Sequence, residues 1–465
     1  MKKLITLIAI TFCLFANAQS EKLISVDKDR STVLYDYLQT IDKKIANLEA
    51  KVKTLENKVY ILENSKDSII VVEPDPIDPI DSVVVSPKNK IYGYGKNTVG
   101  GTGGRIIEVT NLNDSGSGSL REAVEATGKR IVKFTVNGRI NLKTSLHLKN
   151  PFITIDGSDA DITLSMEGYP NKFVIRISTP EVILKFLTVR RSLTDVSSQN
   201  SDGIYIEKGN NILLQNLSLS WASDELLAIA DYTTDRNTKG TYNITVQDCL
   251  FGYTYGDKGI LITGGATNIS LIRPVFASTK TRTPAISTPT SQDYSYDSYF
   301  EVINPIFYDT STGFTYQINK PRNEGEGSFF LNLINGKSFQ NQGGGISRRM
   351  MTVKVDSKVY MYLKGNESVK RPNALEGDEY DVVQFLNGQG NIDNALPDIF
   401  KLSQAVNTPA LEQGMKIYKA NELVEKILLF SGNYLPQRDA EDIRAINDII
   451  NLTQSYSRDN VFPYD

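Results

Sequence analysis

NITVQDCLFG (243–252) and NISLIRPVFAS (268–278) are two versions of one phrase. Each enters through Asn, alternates apolar and polar residues for a few positions and runs into a turn-forming stretch, the pattern of a short half-buried strand. The phrase recurs as PFITIDG from 151, EVILKFLTV from 181, NILLQNLSLSW from 211, YFEVINPIFYD from 299 and SFFLNLING from 328, at intervals of 25 to 32 residues. No helical period separates these units. Repetition at this spacing marks a solenoid, and the lack of a shared short consensus fits a β-helix better than leucine-rich or propeller repeats. The expected fold is all-β: a right-handed, single-stranded parallel β-helix whose stacked coils bury their inward Ile, Leu, Val and Phe. A two-sheet sandwich would space its turn signals more closely, about every 8–12 residues.

Composition narrows the chemistry. The 465 residues suffice for one large domain with appendages, and a hydrophobic content of 40 % can fill a core. Fifty-one basic against 54 acidic residues leave a net charge of −3, so no basic surface recommends a nucleic-acid partner. His147 is the single histidine, which removes His-based zinc sites and Ser/His/Asp triads. Cys249, flanked by strand residues, reads as a buried small hydrophobe. Catalysis is left to carboxylates, Lys, Arg, Tyr or a bound ion.

The chain ahead of the repeats has three parts. Lys2 and Lys3 precede the apolar run LITLIAITFCLF, and Ala16-Asn17-Ala18 supplies a small-x-small cleavage pattern, so residues 1–18 read as a bacterial secretory signal peptide. Its removal takes Cys13 with it, so the mature chain can form no internal disulfide. Nothing else in the sequence is apolar for long enough to span a membrane, so a secreted, soluble protein is expected. Leu34, Leu38, Ile41, Ile45, Leu48, Val52, Leu55, Val59 and Leu62 alternate spacings of four and three, a heptad seam that places a coiled coil at 30–64. Lys44, Lys51 and Lys58 at g match Glu49, Glu56 and Glu63 at the following e, the pairing of neighbouring parallel helices. A parallel homodimer or homotrimer through residues 34–62 is expected. Residues 65–90 are rich in Pro and Asp without periodicity and read as a semi-rigid linker, leaving 91–465 for the β-helix and a C-terminal helix.

Five stretches of that domain carry a resemblance. GYGKNTVGGTGGRIIEVTNLNDSGSGSLREAVEATGKRIVKFTVNGRI (93–140), QNSDGIYI (199–206), NILLQNLSLSWASDELLAI (211–229), TRTPAIS (281–287) and LPQRDAEDIRAINDI (435–449) resemble, in the same order, landmarks of bacterial pectate lyases of polysaccharide lyase family 1. The resemblance covers roughly residues 91–455. It implies a parallel β-helix, secretion, and calcium-dependent β-elimination of an acidic polysaccharide, pectate or another polyuronate. It also implies calcium-ligand positions at Asp202 and Asp224, a catalytic arginine at Arg282, and at Lys258 a cation that touches the substrate carboxylate.

The reaction accounts for these residue types. The proton at C5 of a uronate is poorly acidic while the adjacent carboxylate keeps its full charge. A hard cation held by carboxylates can neutralise it and draw charge as the carbanion forms. Asp202, Asp224 and Glu225 are the candidate acids on consecutive coils, and Asn200 could add a carbonyl oxygen. A guanidinium is a poor base unless a nearby cation and desolvation favour its neutral form.

This chain also departs from the family pattern. Asn200 stands where an acid commonly precedes the Asp202 position, Ala228 stands where one often follows Asp224, and Glu225 is the candidate substitute. Ala285, Ile286 and Ser287 follow the R-x-P where relatives often carry another basic residue, which would weaken substrate carboxylate binding or shift it to Lys280, Arg273 or Arg348. Tyr253, Tyr255 and Trp221 could stack on sugar rings, although Trp221 reads more simply as a packed turn residue.

Two other classes of function stay open on sequence alone. A non-catalytic carbohydrate-binding adhesin or fibre could use the same scaffold and multiply weak sites through the coiled coil. A hydrolase needs two carboxylates flanking the bond, whereas Asp224 and Glu225, if both lie on a strand, point to opposite faces.

Overall fold

The computed structural model describes residues 90–453, apart from 170–172, 193–200, 236, 257, 280, 289–293, 311–313, 319–326, 340–349, 355–358, 387–391 and 394–399. The expected signal peptide, the coiled coil and all but the last residue of the linker lie outside the described residues, as do Asn200, Lys280 and Arg348.

Two ten-stranded sheets and one eight-stranded sheet are wound from the described residues. Sheet 1 runs from Arg105–Val109 to Val359–Lys364, sheet 2 from Leu146–Leu148 to Ile392–Asp393, and sheet 3 from Gly138–Asn141 to Lys337–Phe339. One coil illustrates the path. Val182–Lys185 in sheet 1 leads to Thr188–Arg190 in sheet 3 and Asp202–Glu207 in sheet 2, and the chain re-enters sheet 1 at Asn210–Gln215 with Ile212 beside Val182. Neighbouring strands are parallel up to a final antiparallel pair, Val383–Leu386 with Ile392–Asp393. The architecture is the expected parallel β-helix, and all seven sequence phrases supply strands of sheet 1.

The recurrent asparagines have two uses. Asn211, Asn243 and Asn268 enter sheet 1 at φ 53°, 55° and 55°, and Asn216, Asp248, Asn304 and Asn335 leave it at φ 51°, 57°, 54° and 49°. Short polar side chains tolerate this left-handed conformation better than bulky ones do, so one residue can redirect the chain. The entering asparagines also bond to one another: Asn243 Nδ2 donates to Asn211 Oδ1 and Asn268 Nδ2 to Asn243 Oδ1, both at 3.2 Å. Inside the coil, like packs on like. Ile212, Ile244, Ile269, Phe300, Leu331 and Met361 form one column, and Phe251, Phe276 and Phe307 stack with ring centroids 5.0 and 5.5 Å apart. Cys249 is fully buried, as its sequence context suggested.

Two outer faces are covered by chain. On sheet 1 the outward column Thr245, Ser270, Glu301 and Asn332 is polar yet buried, because it bonds overlying backbone. Thr245 Oγ1 donates to the Tyr92 carbonyl at 2.9 Å, Ser270 Oγ accepts from Tyr94 N–H at 2.9 Å, and Asn332 exchanges two bonds with Val406 at 2.8 and 3.1 Å. The segment 406–430 continues along the stack, its Tyr418 carbonyl accepting from Asn304 and Asn335 at 2.7 and 2.8 Å and its Phe430 carbonyl from Asn216 at 2.6 Å. On sheet 3, the helix Ala440–Asn451 packs Ala445, Ile446 and Ile449 against Leu250, Val275 and Ile306. Arg190, 1 % exposed, pins its first turn through Asp439 at 2.9 Å and Asp442 at 2.7 Å. Sheet 2 differs: His147, Arg176, Tyr205, Lys258 and Leu261 on its outer side remain partly exposed.

Two stability measurements follow from this packing. Arg190→Leu leaves the buried Asp442 carboxylate with only the more distant Arg438, at 4.0 Å, and should cost about 3 kcal/mol in urea unfolding. Burial pushes the Glu301 carboxyl up to about 7, although Ser270 O–H and Ala410 N–H donate to it. Because the folded value lies above the ordinary 4.5, the protonated form favours folding. Stability is therefore expected to fall as pH rises from about 4.5 to about 7, and Glu301→Gln should flatten that decline.

Candidate functional site

Successive coils bring the candidate side chains to the entry ends of sheet 2 strands. Asp202 opens Asp202–Glu207, Glu225 opens Glu225–Asp231 and Lys258 opens Lys258–Gly264, while Thr281, next to Arg282, bridges to Lys258. Glu225 is the ladder partner of Lys258, and its N–H donates to the Asp202 carboxylate at 3.2 Å. Parallel stacking at about 4.8 Å per coil makes neighbours of residues spread from 202 to 282.

Asp224 lies in the bend before its strand, so its carboxylate turns toward that of Glu225. Oxygen atoms of Asp202, Asp224 and Glu225 lie within 4.8 Å of one another. The expectation that Asp224 and Glu225 point to opposite faces assumed two strand residues and is corrected here. The Lys258 ammonium is ion-paired with Asp224, and the Arg282 guanidinium with Glu225. Asp202 and Glu225 are buried at 6 % and 4 % exposure, whereas the Lys258 and Arg282 side chains are 30 % and 35 % exposed. Three acids thus face two cations. Burial, and then the neighbouring Asp224 charge, push the Asp202 carboxyl up to about 8 against the opposing pull of Lys258 and Arg282. The cluster is short of positive charge, and its all-oxygen donor set suits a hard cation.

The backbone holds the two cations in place. The Arg282 carbonyl accepts from Ile260 N–H at 2.6 Å and that of Thr281 from Gly259 N–H at 2.9 Å. A Cβ on Gly259 would lie 2.7 Å from the Arg282 carbonyl oxygen, so glycine is what lets these strands close. Sequence reasoning missed the turn that aims the acids. Ser223 Oγ accepts from Ser201 N–H at 2.8 Å, and the Ser201 carbonyl accepts from both Ser223 and Asp224 N–H at 3.1 Å. The signal was legible as the repeated Ser-Asp of QNSDG and WASDE.

Other expectations are overturned. Tyr253 and Tyr255, 1 % and 4 % exposed, pack on Trp221 in an interior cluster and present no ring to a sugar. Arg273 is bound twice by Asp248, at 2.5 and 2.8 Å, and is buried at the exit of sheet 1, away from the acid cluster. Ala228, 3 % exposed, stands between Tyr205 and Leu261 in the ladder, and that rung offers no acid, in line with the departure noted in the sequence.

No protein-family model matches the chain. The chain is 32% identical over 245 residues to a probable pectate lyase C of Emericella nidulans, covering 51% of each protein. It is 34% identical over 200 residues to a probable pectate lyase C of Aspergillus terreus, covering 42% of this chain and 43% of that one. The chain therefore spans about half the length of the curated relatives it matches. These relatives are fungal, where the sequence landmarks resembled bacterial enzymes. Among solved structures, a pectate lyase from Bacillus sp. N165 in complex with trigalacturonate aligns with a TM-score of 0.44 at 14% identity, over 74% of this chain and 98% of that chain.

Gly259→Ala tests how the site is assembled. Overpacking against the Arg282 carbonyl should cost about 1–3 kcal/mol in urea unfolding.

Proposed function

We propose that this chain is an exported lyase that cleaves polygalacturonate, or a related uronan, by calcium-assisted β-elimination. The observation that carries the reading is the grouping of Arg282 and Lys258 with three carboxylates on the sheet face that keeps partly exposed side chains. Similarity over half the chain to proteins named pectate lyases supports it. Asp202, Asp224 and Glu225 would hold the calcium, with Asn200 as a further candidate from the sequence. Bound there, the ion would lend positive charge to the substrate carboxylate and make the C5 proton more acidic.

The residues of the chain then divide the work. Lys258 holds a substrate carboxylate. Arg282 takes the proton from C5, the electron pair left behind forms the C4–C5 double bond, and the bond from C4 to the glycosidic oxygen breaks. The departing oxygen takes a proton from water. Arg282 can take that proton only as the neutral guanidine, so Glu225 must first leave its ion pair and Arg282 give up one proton to solvent; the proton it then gains from C5 is passed on to the hydroxide left when the departing oxygen is protonated by water. The signal peptide would deliver the protein outside the cell. A parallel coiled coil through residues 34–62 would carry two or three sites on one particle.

The test is ultraviolet detection of 4,5-unsaturated uronides from polygalacturonate by residues 19–465. Product should require calcium and vanish with chelator. Arg282→Ala should lower kcat by about 100-fold or more, and Lys258→Ala should raise KM more than it lowers kcat. Binding of polygalacturonate without unsaturated product would assign the protein to the non-catalytic fibre instead.

A further inference from the structure

A cavity of about 290 Å³ lies at the corner between sheets 1 and 3, where the chain leaves sheet 1. Its floor is a column of corner residues from successive coils, Phe186, Asn216, Asp248 and Arg273, together with Lys185 and Gln215. The segment 418–435 covers it and supplies Tyr418, Phe430 and Tyr434. The acid cluster stands at the entry to sheet 2, and the two sites share no residue.

The charged groups that line the cavity are matched: Lys185 with Asp156 at 2.9 Å, Arg273 with Asp248 at 2.5 Å, Asp159 with Lys133 at 2.6 Å and Lys426 with Glu425 at 2.9 Å. The Gln215 amide is not. Its side chain lines the cavity, the residue is 9 % exposed, and the amide has no hydrogen-bond partner among the described residues. Beside it, Asn216 Nδ2 donates to the Phe430 and Gly432 carbonyls at 2.6 and 3.3 Å, while its Oδ1 accepts nothing from the described residues. Phe186 and Phe430 meet the Tyr434 ring edge-on, with centroids 5.5 and 5.9 Å away, and form an aromatic wall. Phe186 holds φ 53°, which is unfavourable for a bulky side chain, at the corner where the next two coils place Asn216 and Asp248.

A buried amide is costly to leave without partners, so the fitting ligand both donates and accepts hydrogen bonds. Matched charges give an ion no advantage. An aromatic wall favours a ring with an apolar face, and the volume lies at the low end for small-molecule sites, about 300 Å³. We infer that this cavity binds one neutral sugar ring, whose hydroxyls bond the Gln215 amide and Asn216 Oδ1 and whose C–H face lies on the Phe186–Tyr434 wall. The site is independent of the chemistry at Arg282. It gives the protein a second grip on a polysaccharide that carries neutral residues and leaves the face of sheet 2 free.

The test is saturation-transfer NMR on residues 19–465 with D-galactose, L-arabinose, D-xylose and L-rhamnose as probes and D-galacturonate as the charged control. At least one neutral sugar should bind with a Kd on the order of 1 mM, more tightly than galacturonate. Gln215→Leu should weaken that binding about tenfold without lowering the thermal midpoint, because it removes an unpaired buried amide. Phe186→Asn, which gives this corner the residue type that Asn216 supplies on the next coil, should remove detectable binding. Arg282→Ala should bind the sugar as the unaltered chain does, so a failed lyase reading leaves this site standing. Failure of all four neutral sugars to bind, which would leave the Gln215 amide to water alone, overturns the inference. So does a preference for galacturonate, or binding that survives both Gln215→Leu and Phe186→Asn.

Discussion

Parallel stacking in register is the constraint from which the rest of this structure follows. Within the sheets, a strand residue sits about 4.8 Å from its ladder partner on the next coil, whatever the length of the intervening turn. Ile212 therefore meets Ile244 and Ile269 in the core, asparagines bond to asparagines at the strand entries, and an acid, a second acid and a lysine meet at the entry to sheet 2. The core, the turns and the candidate site are three columns of one lattice.

The same lattice decides what could be read from sequence. The rungs were legible because each repeats the apolar alternation, most of them with an asparagine at a left-handed corner, although Phe152, Glu181, Phe186 and Arg273 turn such corners too. Asp202, Asp224, Glu225 and Arg282 were legible as candidates because the landmarks that contain them occur in order, whereas Lys258 lies between two landmarks; the structure groups all five. Three things escaped. The side-chain direction of Asp224 depends on a bend of one or two residues rather than on a period. Tyr253 and Tyr255 look like surface aromatics until their coil closes over Trp221. The covering of sheets 1 and 3 depends on contacts between residues hundreds of positions apart, such as Arg190 with Asp442, and no local pattern announces them.

Two sets of ion pairs in this protein share their chemistry and differ in their access to water. Arg190 is enclosed between Asp439 and Asp442 with 1 % of its side chain exposed, and opening that contact would strand buried charge. Arg282 and Lys258 keep about a third of their side chains in solvent while they hold Glu225 and Asp224. Water can solvate each cation as it lets go, while the buried Glu225 carboxylate still needs another cation in place of Arg282. The enclosed set fastens a helix, and the open set is suited to a reaction that requires charges to change partners.

The segment 406–430 has a further consequence. A solenoid whose coils touch only their neighbours can fray from either end and open one coil at a time. Here one length of chain bonds Asn332 and Asn335 of one late coil, Asn304 of the coil before it and Asn216 of an earlier one. It acts as a splint across rungs that never meet directly. Opening the late coil must also break its bonds to this segment, which couples coils that never touch directly.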